Sequence, residues 1–146
     1  MSIRSNTLKR FLQTIAVFHI IVGACFPWIV ESHLFDLYHE HLNLVFNIYQ
    51  DNAKQQASFL MALFGPTIAS WGVLFLYSIN SGFARPSPQA WWFMLLACIV
   101  WAPYDSILSL QYGIYLNAII NAVAFVMIVS PVLMVRKHFF ISSDAE

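Results

Sequence analysis

Charge is what this chain has least of. Seven Lys or Arg and seven Asp or Glu make up 10% of its 146 residues, against about 25% in an ordinary soluble domain. Formal net charge is zero, so no basic surface invites nucleic acid, and nucleic acid is not expected as a partner. Cysteine is nearly missing as well. Cys25 and Cys98 make no CxxC pair and no zinc pattern, which excludes a disulfide oxidoreductase built on vicinal thiols. Glycine is limited to five residues, none of them in a phosphate-binding loop. No Ser-His-Asp order can be read, and His19 alone among the histidines falls inside an apolar run, so bis-histidine haem ligation has no basis. No cofactor is expected, and nothing argues positively for an enzyme.

What the chain has in excess is apolar surface, at 60% of residues with 16% aromatic. A single unit spanning 1–146 could not bury that much within itself, so a lipid bilayer must cover part of it. Four apolar runs stand out: Phe11–Val30, Ala57–Ile79, Trp91–Leu110 and Ile114–Val135. Each is near the ~20 residues that cross a hydrocarbon core of about 30 Å as a helix. Lipid offers no partner for backbone polar groups, and the runs lack the alternation of a barrel strand, so helices are expected. The fold class is therefore all-α, an integral membrane four-helix bundle.

Basic residues set the expected orientation. Arg4, Lys9 and Arg10 precede the first span, Arg85 lies between the second and third, and Arg136 and Lys137 follow the fourth. Only Lys54 falls on the other side, which by the positive-inside rule puts both termini in the cytoplasm (N-in/C-in). This bias and the short loops fit a bacterial inner membrane. A lipoprotein signal ending at Val22-Gly23-Ala24-Cys25 is the rival reading of the N-terminus. Gln13 and His19 interrupt its apolar stretch, and the run continues to Val30, so an ordinary first span is preferred.

The loops differ in kind. In Glu31–Gln56, Leu34, Tyr38, Leu42, Val45 and Tyr49 recur at helical spacing. They predict an outer-face amphipathic helix, either flat on the membrane or folded over the mouth of the bundle. Asn80–Ala90, with Ser81-Gly82 and Arg85-Pro86-Ser87-Pro88, reads as a turn-rich connector. Gln111–Gly113 is so short that the third and fourth spans must be neighbours. The tail after Lys137 is expected to lack structure.

Each span carries one small or polar face. In the second, Ser58, Ala62, Gly65, Ala69 and Gly72 follow spacings of four, three, four and three, a helix-packing stripe that lets backbones approach closely. Phe59, Leu60, Phe64 and Leu74 occupy its other faces and suit lipid. Weaker faces are Ala16, His19 and Gly23 in the first span, Cys98, Ala102, Asp105 and Ser109 in the third, and Gly113, Asn117, Asn121 and Ala124 in the fourth.

Asp105 is the most informative residue. A carboxylate within a span costs roughly 2.5–3.5 kcal/mol on insertion scales and usually has a purpose. Helical rise places it at a depth between Asn117 and Asn121, whose amides can donate to it. Asp105, Asn117, Asn121, His19 and Tyr104 are the candidate ligand-binding residues. Pro66 and Pro103 remove helix bonds to Ala62 and Ile99, which predicts a cavity or a hydrogen-bonded knot in the outer half. No metal site is expected, although His33, Asp36 and Glu40 at i, i+3, i+7 are weak candidate ligands.

Three functions follow as expectations. The first is a non-catalytic accessory or assembly subunit, packing on other membrane proteins or as a homo-oligomer through its small-residue faces. The second is a binding or transport protein for a small polar or cationic ligand at Asp105. The weakest is a lipid-modifying enzyme with Asp105 and His19 as acid–base partners, which their difference in depth disfavours.

Overall fold

The computed structural model of the chain describes residues 3–140. It is all helical, with no strand among the described residues, in the order α1 (Ile3–Val30), a 3-10 turn (His33–Phe35), α2 (Asp36–Phe46), α3 (Asp51–Ala62), α4 (Phe64–Ala84), α5 (Pro88–Gln111), α6 (Tyr115–Met134) and α7 (Arg136–Phe140). Four helices are long and apolar enough to cross a membrane: Ser5–Val30 within α1, Asp51–Ala84 as α3 and α4 together, α5 and α6. These are the dimensions of a membrane protein.

The helices overrun the apolar runs that announce them. The second begins at Asp51 rather than Ala57 and ends at Ala84 rather than Ile79. Hydropathy marks the part of a helix that lipid can cover, and Asn52, Lys54, Gln55 and Gln56 extend the same rod beyond it. Its one interruption, at Leu63, has a covalent cause: Pro66 has no N–H for the Ala62 carbonyl. The connector before α5 shrinks to Arg85–Ser87 in consequence. Ser87 caps α5 by accepting from the Ala90 amide at 3.2 Å, with Pro88 opening the first turn. At the other end of α5, Gly113 adopts φ +74. The Gly113 and Ile114 amides close on the Leu110 and Ser109 carbonyls at 3.1 and 2.8 Å, a left-handed cap that reverses the chain at once into α6.

Packing follows the faces. α1 runs along α4 and α5 along α6, while α4 touches α5 and α1 touches α6. Gly65, Ala69 and Gly72 of the second span's stripe pack against α1 of the same chain. A Cβ on Gly65 would fall 2.6 Å from the Gly23 carbonyl oxygen, and one on Gly72 would fall 2.9 Å from that of Ala16. Phe59, Leu60, Phe64 and Leu74 point outward, as their side chains require. The apolar core, which includes Leu12, Ile79, Met94, Cys98 and Ile128, gathers toward the end that carries Lys9, Arg85 and Arg136. Trp91 closes this basic end. Its indole donates to the Val132 carbonyl at 2.7 Å, a carbonyl left near the end of α6 with little helix beyond it.

The tail departs from expectation. α7 packs on α5 and α6, and Phe139 is 0% exposed, against Phe83 at 5.1 Å between ring centres. An unstructured tail is therefore corrected as far as Phe140; residues 141–146 lie outside the described residues.

Candidate functional site

The short turn after α5 leaves α5 and α6 side by side, and the polar residues of their facing surfaces meet. Asn121 Nδ2 donates to Asp105 Oδ2 at 2.7 Å. Asn117 Nδ2 donates to Ser109 Oγ at 2.7 Å and reaches both carboxylate oxygens of Asp105, at 3.3 and 3.5 Å. Asn121 and Ser109 are buried, at 3% and 5% exposure, while Asp105 and Asn117 are half-buried. Oδ2 is well held, whereas Oδ1 has only the longest of these contacts and keeps most of its accepting capacity. Of the two forms expected here, a knot is what surrounds Asp105.

Among the described residues no cationic side chain joins the knot. Among the described residues the ion pairs are His33–Asp36 and Lys54–Asp51, both on exposed side chains, and such pairs contribute little. Asp105 therefore takes neutral amide donors only.

The other candidates fall elsewhere. Tyr104 is 67% exposed and points away from the knot. His19 keeps to its own helix and to α4: its Nδ1 lies 2.8 Å from the Ile15 carbonyl oxygen, and its ring lies 4.9 Å from that of Trp71. The structure thus does not bring His19 to Asp105. His33 and Asp36 pair at 3.0 Å, yet Glu40 does not join them. Among the described residues no group of three His, Cys, Asp or Glu is placed to hold a metal ion. Cys25 is exposed and Cys98 buried, both as free thiols.

α2 adds contacts that the sequence reading did not give. It folds over the acidic end, held by two histidines that donate to carbonyls left over at chain reversals. His39 Nε2 lies 2.8 Å from the Val30 oxygen and His41 Nε2 lies 3.0 Å from the Gly113 oxygen. A carbonyl only accepts, so in both rings Nε2 carries the proton. Tyr38, on the same helix, enters the field of the knot. Burial raises its phenol above the ordinary value of 10.0, and the Asp105 carboxylate pushes the same way. Tyr38 had a signal, its place in the helical stripe Leu34 to Tyr49, but that stripe says nothing about which residue lies beneath it.

Beside α2 an open cleft of about 520 Å³ lies against the end of α1 and α3, with Glu31, Asp36, His39, Glu40 and Lys54 among its walls. Asp105 is not part of it.

Compared with protein-family models, curated proteins and solved structures, the chain matches none of them.

Proposed function

We propose that this chain is a small membrane protein that binds, and by extension carries, a small cationic ligand at Asp105. The reading takes the four spans as one bundle with both termini in the cytoplasm, in a bacterial inner membrane, so that the knot lies in the outer half beneath α2. One observation carries it: a half-buried carboxylate, held by the amides of Asn117 and Asn121, pairs with no cationic side chain among the described residues. A lock between two helices needs only neutral donors and acceptors, and Asn or Ser would serve at lower insertion cost. A carboxylate in that place supports a role for its charge. The three amide contacts orient it without neutralising it, which leaves Oδ1 for a positively charged partner.

The assembly reading has less support from the second span, because α1 packs on Gly65, Ala69 and Gly72 of its stripe. The enzyme reading has less support, because His19 bonds to the Ile15 carbonyl and its ring lies tilted against Trp71.

The test is cation binding by the purified protein in lipid discs, followed by calorimetry with sodium, potassium and tetramethylammonium ions. The intact protein should bind at least one of these, and Asp105→Asn should lose that binding while keeping its helix content and melting temperature. Binding unchanged in Asp105→Asn sinks the proposal. So does a variant that melts as early as Asn121→Ala, since Asp105 would then be a structural tie.

A further inference from the structure

Aromatic rings are not spread evenly around the carboxylate. Trp101 stands four residues before Asp105 on α5, which remains one helix through Pro103. Residues at that spacing are neighbours on one face, with Cβ atoms about 5–6 Å apart. Trp101 in turn meets Trp71 of α4, with ring centres 5.9 Å apart. The two indoles differ in how far they are occupied. Trp71 lies 4.7 Å from Phe75 in a stacked pair and 4.9 Å from His19. Trp101 has Trp71 as its one ring neighbour among the described residues and is only half-buried. Among the described residues, the cations placed over rings are Lys9 over Phe83 and Arg136 over Trp91 and Phe140. Asp105, whose Oδ1 has only the 3.5 Å contact from Asn117, and the half-buried Trp101 therefore stand one helical turn apart on α5.

We propose that Asp105 and Trp101 together recognise an alkylammonium group, with the carboxylate oxygen Oδ1 taking the charge and the indole face taking the N-alkyl substituents. This rests on the reading of Asp105 as a cation site and goes further in naming the class of cation. A bare metal ion needs several oxygen ligands at short range and gains little from an indole. A quaternary or substituted ammonium is weakly hydrated and spreads its charge over methyl groups, so an aromatic face and a single carboxylate match it. The same chemistry is available free in solution or as an amine-bearing lipid headgroup. Asp105 lies about 9 Å from the end of α5 by helical rise, within the reach of a headgroup drawn in beside α2.

The experiment uses the full chain in discs of phosphatidylglycerol, a lipid without an amine, and titrates tetramethylammonium and sodium separately, reading calorimetry and tryptophan fluorescence. Tetramethylammonium should bind more tightly than sodium. Trp101→Leu should weaken it about tenfold, the scale of one desolvated cation–π contact, with sodium unaffected; Trp101→Phe should restore most of the loss. Exchanging part of the lipid for phosphatidylcholine then separates the sources, since weaker apparent binding identifies a headgroup and unchanged binding a free ligand. Sodium binding that depends on Asp105, without tetramethylammonium binding, overturns the inference and leaves the cation site standing. If no cation binds in a way that depends on Asp105, both fall. A Trp101→Leu protein that melts early is judged on Trp101→Phe alone, and loss of binding there overturns the inference.

Discussion

Asp105 and Tyr38 illustrate how one side chain sets the chemistry of another. The phenol, carried on α2, is raised first by burial and second by the carboxylate. The raised value belongs to the folded state, so the stability it contributes is complete below pH 10.0. That contribution is lost as pH climbs through the folded-state value, where the phenolate must form beside a like charge. Asp105→Asn removes the second cause and leaves the first. Tyr38 should then titrate lower than in the parent protein, yet still above 10.0. With six tyrosines present, the measurement is the difference in phenolate absorbance between each protein and its Tyr38→Phe counterpart. If the Tyr38 transition stays where it was, α2 does not cover the carboxylate. Of this site, the pairing of Asp105 with Asn117 and Asn121 was legible from depth and from a three-residue turn. Tyr38 was not, because its approach depends on how α2 lies across α5, and no local spacing encodes that; the spacing of Trp101 from Asp105 was readable, but its contact with Trp71 of α4 was not.

Among the helices, contact distance does what hydrophobic burial does in water, since lipid is as apolar as the side chains it would replace. α1 and α4 approach until a Cβ on Gly23 would overlap the Ala69 amide nitrogen and sit 2.6 Å from the Gly65 carbonyl oxygen. Those neighbours are helix backbone and cannot rotate away. Gly23→Ala should destabilise the protein by about 1–3 kcal/mol, as overpacking does. Gly82→Ala meets only the movable ring of Phe139, at 3.2 Å, and Ala90, at 3.4 Å, and should cost clearly less. Unfolding of both variants in mixed detergent compares them directly; equal losses would remove close backbone contact as the basis of the α1–α4 pair. The stripe itself was readable from its spacing. Its partner was not, because every span carries some small face, and only the match of Gly23 to Gly65 and Ala69 selects α1. α2 was readable as a helix from Tyr38, Leu42 and Val45, whereas Leu34 and Tyr49 of the same stripe fall outside it. Its seat over the acidic end depends on His39 and His41 reaching carbonyls nine and 72 residues away, which leaves no periodic trace. α7 is a five-residue helix, too short for any periodicity to announce.

At the scale of the whole molecule, charge and function are tied through orientation. The helices pass back and forth so that Lys9, Arg85 and Arg136 gather at one end and Glu31, Asp36, Glu40, Asp51 and Lys54 at the other. At the basic end the cations lie over rings, Lys9 at 5.8 Å from Phe83 and Arg136 at 5.6 Å from Trp91, as at a membrane interface where long cationic stems snorkel among aromatic residues. Asp105 lies in the half toward the acidic end, so on the proposed function the side that end faces decides which compartment would supply a ligand. Retention of basic loops in the cytoplasm predicts that the acidic end faces out. Labelling with a membrane-impermeant thiol reagent can decide it, in a protein with Cys25 and Cys98 replaced by Ser. Asn52 and Gln89 are both exposed and lie at opposite ends. Asn52→Cys should label in intact cells and Gln89→Cys only after the membrane is opened. The reverse pattern would turn the carboxylate toward the cytoplasm, and a ligand would then have to be drawn from inside the cell. Labelling of both in intact cells would mean that the spans do not all cross, and the helix pairs that hold Asp105 among its amides could not form in a bilayer.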